Sequence, residues 1–171
     1  MSDDRLPPAV RVLPMSDRVA GFAGRSIAAV QAAYFLGRLA RHGRFRYATT
    51  GLRSPHGTAV LFQFKGHAVA WATLLRDERY TQPRAGYAGT LHFDPASVRV
   101  FDPCNAEAMR AVWPSFRRFG HAKFALNPAK WPAFVRRLRD VRQAKPAVEA
   151  KLPKAVRHAV VLVNVMAAPC E

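Results

Sequence analysis

The sequence predicts an α+β protein: a small curved β-barrel of five or more strands with flanking helices. Three observations predict it. At least five short runs with strand character follow one another between residues 44 and 101, at a close spacing that suits a barrel or highly curved sheet over a parallel α/β layer. Helical periodicity appears before this block, over residues 27–40, and after it, from residue 131. Half of the 171 residues are apolar, enough to bury one core. We divide the chain into an N-terminal arm (1–24), the barrel with its helices (25–145), and a linker with a closing strand (146–171).

The elements follow in order. Residues 1–24 are Pro-rich and mixed, a largely extended arm in which Val10-Arg11-Val12 could make a short edge strand. Ser26 suits an N-cap, and residues 27–40 form a helix with Ile27, Val30, Tyr34, Leu36 and Leu39 around much of its circumference. Gln31, Arg38 and Arg41 are its clearly polar residues, so this helix is expected to be largely buried. Gly43 suits the C′ position. The period then changes to two in Arg44-Phe45-Arg46-Tyr47-Ala48-Thr49-Thr50. Residues 51–57 are a loop. Residues 58–64 and 67–75 make the clearest hairpin, turning at Lys65-Gly66. Residues 76–86 are expected to be a polar loop, 87–93 a strand, Asp94-Pro95 a turn, and 98–101 a further strand.

Asn105 caps a short helix over residues 106–113, which Pro114 stops. Residues 116–126 suit either a strand or an extended loop. Pro132 suits the first turn of another helix, with Trp131, Phe134, Val135, Leu138 and Val141 on one stripe. Arg136, Arg137, Arg139 and Arg142 fall opposite. The run AVVLVNVM at 159–166 is strongly β-forming, either a core strand or an edge for a protein partner.

The formal net charge is +16, and it is uneven. Residues 110–158 carry 13 basic and 2 acidic side chains. Like charges repel, and phosphate neutralisation with counterion release offsets that cost. Nucleic acid is therefore the expected partner, DNA or RNA. A genome favouring Arg and Ala is the bland alternative, and an acidic protein or a membrane surface a lesser one. No apolar run reaches the ~18–20 residues a bilayer crossing needs. The start MSDDRLPPAV lacks a secretion pattern. The expected location is cytoplasmic, with nucleoid association a variant of it.

Chemical motifs are few. Gly21-Phe22-Ala23-Gly24-Arg25-Ser26 has the wrong spacing, and Arg for Lys, to wrap a triphosphate. No histidine forms an HxxxH or HExxH pair, and neither Cys104 nor Cys170 has a CxxC partner. Asp94 and Asp102 each precede proline, where a local turn accounts for them. We therefore assign no catalytic residue, no metal and no cofactor. Aromatics interleaved with cations are the better signal, because bases stack on flat rings and phosphates follow cations.

The order AVLFQFKG, HAVAWATLL, GYAGTLHFDPASVRVFDP, a short helix ending in Trp-Pro, and FRRFGHAKFALNPAKWPAFVRRL resembles the PUA-like superfamily, and within it the EVE/ASCH/SRA-type β-barrels. The resemblance covers roughly residues 44–140; the long N-terminal helix departs from it. It implies a small barrel with a concave pocket for a nucleobase, often a modified one, flipped from its helix and stacked on aromatics. Carried onto this chain, Trp71, Tyr80 or Tyr87 would stack the base, and Asp94 or a backbone group would read it. Arg76, Arg84, Arg117, Arg118, Lys123, Arg136, Arg137, Arg139 and Arg142 would hold phosphates.

The expected function is thus a non-catalytic nucleic-acid reader. Two alternatives stay open: an enzyme on nucleic acid or a nucleotide using His56, His92 or His121 as acid or base, and a structural component of a ribonucleoprotein with the C-terminal segment as a docking tail.

Overall fold

The structure, a computed structural model, describes residues 6–19, 21–120 and 122–145. It is α+β, with seven strands in one sheet and a few helices. The strands are β1 (Val10–Pro14), β2 (Arg44–Tyr47), β3 (Ala59–Phe64), β4 (His67–Arg84), β5 (Tyr87–Phe93), β6 (Arg99–Cys104) and β7 (Phe124–Leu126). Their order is β2-β5-β4-β3-β1-β7, and β6 pairs with β4. β1 and β3 run parallel; the other pairs are antiparallel. β2 and β7 end the order, and no strand pairing joins them, so among the described residues the sheet is open.

β4 sets the shape. Its first part pairs with β3, and Ala68, Ala70 and Trp71 also face β6. From Leu74 onward it pairs with β5 instead. The register slips between Leu74 and Arg76, where one neighbour gives way to the other. Such bulges bend a strand and sharpen its twist. The polar loop expected at 76–86 is a correction: the strand continues to Arg84, and the turn is only Ala85-Gly86, with φ of 50° and 80°. Polar contacts along β4 and across to β5 hold this exposed ribbon. Glu78 takes His92 at 2.6 Å and Arg76 at 3.7 Å. The β3–β4 hairpin turns at Lys65-Gly66 as expected, with φ of 50° and 74°.

Apolar residues cover both faces of the sheet. Leu13, Phe35, Leu39, Phe62, Leu74 and Phe93 belong to one cluster, beneath the long helix. Val12, Leu61, Trp71, Phe101, Trp131 and Phe134 belong to another. β3 is buried at all six positions, which explains its apolar run, interrupted only by Gln63. β1 likewise sends Val12 to one cluster and Leu13 to the other. It lies between β3 and β7, so these residues are neither an arm nor an edge strand. Pro14 is tolerated at the strand's last position.

Residues 27–42 form the long helix, whose turns widen to i→i+5 over Gln31–Leu39. Ser26 Oγ accepts from Ala29 N at 3.1 Å, and Gly43 closes the helix at φ 62°. The expectation of a largely buried helix is corrected. Only Val30, Gln31, Phe35 and Leu39 are buried, a single face. Gln31, one of the helix's clearly polar residues, is the polar member of that face. Its amide donates to Val69 O at 2.8 Å and Phe101 O at 2.7 Å.

The helix Ala106–Arg110 starts at Asn105, whose side chain accepts from Ala108 N. The helix Trp131–Arg137 ends sooner than its sequence stripe predicts, because Leu138 turns extended (ψ 138°). Trp131 and Phe134 are buried, but Val135 and Val141 are exposed. Arg142 then folds back to exchange backbone hydrogen bonds with Val100. Arg136, Arg137, Arg139 and Arg142 therefore do not form one helix face. Among the described residues of 116–126, only Phe124–Leu126 is strand. The closing strand expected at 159–166 lies outside the described residues.

Candidate functional site

The site builds outward from β2. Its alternation of cation and ring, Arg44-Phe45-Arg46-Tyr47, follows the two-residue period of a strand. Phe45 packs toward Phe62, with ring centroids 6.0 Å apart, and Tyr47 is buried. Arg44 and Arg46 are exposed. β5 takes one edge of β2, and the other edge borders a groove of about 730 Å³.

Five cations line this groove: Arg25, Arg38, Arg44, Arg46 and Lys123. Five rings join them: Phe22, Tyr34, Phe45, Tyr47 and Tyr87. No Asp or Glu among the described residues lines it. The ion pairs among the described residues engage none of these five cations. Arg46 lies 5.5 Å from the Tyr87 ring centre and Lys123 5.5 Å from that of Tyr47. Phe22 meets Tyr34 edge-on at 4.9 Å. Burial raises the Tyr34 phenol above its ordinary pKa, and Arg38 opposes the shift. Burial lowers the Lys123 ammonium, with the Asp77 carboxylate opposing.

Tyr47 also lines a smaller cavity of about 180 Å³, with Thr49, Thr50, Gly51, Arg53, Asp77 and Arg79. Asp77 Oδ1 accepts from the Tyr47 hydroxyl at 2.8 Å, and Oδ2 from Arg53 N at 3.0 Å. Burial, then this hydrogen bond, push the Tyr47 phenol up to about 12. Two glycines permit the arrangement. A Cβ at Gly51 would overlap the Asp77 carboxylate; one at Gly89 would overlap the Tyr47 hydroxyl and Glu78 O. Lys123 Nζ donates to Thr50 O, so one side chain ties the region before β7 to the segment after β2. The two ends of the open sheet thus approach here.

The residues singled out from sequence distribute unevenly. Tyr87 and Lys123 are in the groove. Trp71 is not available for stacking: it is 7% exposed and edge-on to Trp131 at 5.3 Å. The Tyr80 hydroxyl bonds to Thr90, and the Arg84 guanidinium sits 4.7 Å from its ring centre. Asp94 Oδ1 accepts from Ala96 N at 3.0 Å, capping the turn Pro95–Ser97. Of Trp71, Tyr80, Tyr87 and Asp94, only Tyr87 lines either of the two cavities. Arg76 pairs with Glu78. Arg117, Arg118, Arg136, Arg137 and Arg139 are exposed and line neither cavity. Arg142 reaches Asp140 at 3.2 Å.

Sequence reasoning missed Arg25, Arg38, Arg44, Arg46, Tyr34 and Tyr47 as a set. The Arg-Phe-Arg-Tyr alternation of β2 was the available signal. Of the histidines, His92 meets Glu78 and His56 meets Leu75 O at 3.1 Å, both away from the two cavities. His121 lies outside the described residues. Among the described residues no three His, Cys, Asp or Glu side chains converge as metal ligands, and no helix is long and apolar enough to cross a membrane. No protein-family model matches the chain, and neither does a curated protein or a solved structure.

Proposed function

We propose that this protein binds nucleic acid, DNA or RNA, along the groove at the free edge of β2. One observation carries the proposal: five cations outside any ion pair and five aromatic rings share a groove without a carboxylate among the described residues. Phosphates take the cations and bases take the rings. An acidic peptide would use the cations and leave the rings without a role. On this proposal the exposed Arg136, Arg137 and Arg139 add outlying phosphate contacts.

The finer reading belongs to the same proposal. The sheet is a PUA-like barrel opened at the β2–β7 seam, where Lys123 meets Thr50. On this reading the base pocket, which the resemblance implied at Trp71, Tyr80 or Tyr87, is instead the cavity behind Tyr47, where the Asp77 carboxylate offers acceptors to the donor edge of a base, modified or not. Support for this comes from position: Tyr47 lines both cavities.

The test is titration of labelled single-stranded DNA and RNA at two salt concentrations. Arg38→Ala, Arg44→Ala and Arg46→Ala, combined, are expected to weaken binding to both. On a single strand, the slope of log K against log salt falls by about 0.7 for each phosphate that is no longer neutralised. Unchanged affinity and slope would remove the groove from the proposal.

A further inference from the structure

Charge does not account for the outer edge of β2. In an antiparallel ladder, alternate residues exchange both hydrogen bonds with the neighbouring strand, and the residues between them turn N–H and C=O the other way. Phe93 N donates to Gly43 O at 2.7 Å, just ahead of the pairs Arg44↔His92 and Phe45↔Leu91. That bond fixes the phase. Gly43, Phe45 and Tyr47 bond to β5, whereas Arg44 and Arg46 direct their peptide groups outward. β2 ends the strand order, so among the described residues no strand takes up those groups. The two residues that carry them, Arg44 and Arg46, line the groove.

A bare edge invites a further strand, and charged side chains on it discourage one. The two arginines therefore leave the peptide groups to a partner that tolerates guanidinium and needs alternating donors and acceptors. The edge of an unpaired nucleobase is such a partner. In a duplex the Watson–Crick edges are occupied and the ring faces stacked, so neither the peptide edge nor the half-buried Tyr34 and Tyr87 could reach them. The groove's 730 Å³ lies within the ~300–1,000 Å³ of ordinary ligand cavities, room for a few nucleotides but not for a duplex.

We infer that the groove takes a single strand, and that the outward peptide groups of Arg44 and Arg46 hydrogen-bond to its bases while Arg25 and Arg38 hold its phosphates. This rests on the nucleic-acid reading above and adds strandedness and main-chain base contact to it.

The experiment compares three probes on the full chain: a short single-stranded oligonucleotide, an abasic strand of equal length, and the matching duplex. The base-bearing strand is expected to bind at least about tenfold more tightly than either of the others. Two variants isolate the peptide group. Arg46→Ala removes the guanidinium; Arg46→Pro removes the guanidinium and the outward N–H, which the β5 ladder does not use. Arg46→Pro should bind the base-bearing strand about 3–10-fold more weakly than Arg46→Ala, as one hydrogen bond dictates, and the abasic strand equally. Abasic or duplex probes that match the single strand on the unaltered protein overturn the inference without any variant, as does equality of the two variants on the base-bearing strand. In those cases binding itself survives. If neither strand binds, or if oligoglutamate displaces both as well as unlabelled oligonucleotide does, the nucleic-acid reading fails instead.

Discussion

The groove and the C-terminal arginines are both cationic, and they differ in how sequence maps to space. Arg25, Arg38, Arg44, Arg46 and Lys123 span about a hundred residues, yet they line one cavity. Arg136, Arg137, Arg139 and Arg142 lie within seven residues and part company. The helix ends at Arg137; Arg142 is drawn back toward Asp140 and toward Gln31 Oε1 at 3.4 Å. The rings differ too. Those beside the C-terminal helix, Trp71, Trp131 and Phe134, are buried against one another. Charge density along a chain is therefore a poor guide to charge density on a surface. A ligand meets the second, and a sheet that brings distant strands together decides it.

The largest expected effect separates the two sets of rings. Trp71→Ala should cost about 3–5 kcal/mol of stability, as for other buried aromatics, and leave the salt slope of binding unchanged. Chemical denaturation and an oligonucleotide titration measure both. A Trp71→Ala protein of undiminished stability that has lost base preference would return Trp71 to the ligand site. The next effect separates the two sets of cations. The Arg38, Arg44 and Arg46 triple alanine variant should lose about a hundredfold in affinity at low salt, against less than about tenfold for Arg136, Arg137 and Arg139. The reverse order would move the interface to the C-terminal helix.

A smaller effect tests the cavity behind Tyr47. Gly89→Ala places a methyl group against the Tyr47 hydroxyl and Glu78 O, both beside a strand that cannot easily yield. Overpacking of this kind costs about 1–3 kcal/mol, read as a lowered denaturation midpoint. Gly86→Ala meets no atom within 4 Å and serves as a contrast in packing, although its φ of 80° adds backbone strain. If Gly89→Ala unfolds no more easily than the unaltered protein, Tyr47 does not lie across that glycine.

Local rules made much of the frame legible. Ser26, Gly43, Asn105 and the Lys65-Gly66 turn each do what their chemistry predicts, because a cap or a tight turn depends on a few neighbouring residues. The second half of β4 was illegible because its residues are polar, and what makes them a strand is β5 opposite them. β1 was misjudged for a related reason: five residues among prolines become a central strand only once β3 and β7 flank them. The groove was legible only in fragments. β2 shows its cation–ring alternation, but Arg25, Arg38 and Lys123 join it through the fold alone. Gly51 and Gly89 carry no sequence mark, since neither has a positive φ; they are glycine because Asp77 and Tyr47 need the space.

The smallest effect concerns acid. The groove has no described carboxylate, whereas the polar ribbon of β4 and β5 carries Glu78 beside His92. The hydrogen bond from His92 holds the Glu78 carboxyl below its usual range, opposed by partial burial and helped by the charges of His92, Arg76 and Arg84. A carboxyl whose pKa is lowered on folding stabilises the fold above its unfolded value of 4.5, and that contribution disappears as pH falls through the folded value. Glu78→Gln should therefore flatten the acid side of the stability profile slightly, because Glu78 is partly exposed and solvent screens the pair. It should leave oligonucleotide affinity at neutral pH unchanged, since neither Glu78 nor His92 lines the groove. Denaturation midpoints collected down to acid pH, with one binding titration at neutral pH, measure both. A Glu78→Gln protein that keeps its acid profile but loses affinity would extend the interface from the β2 edge across the outer face of β5.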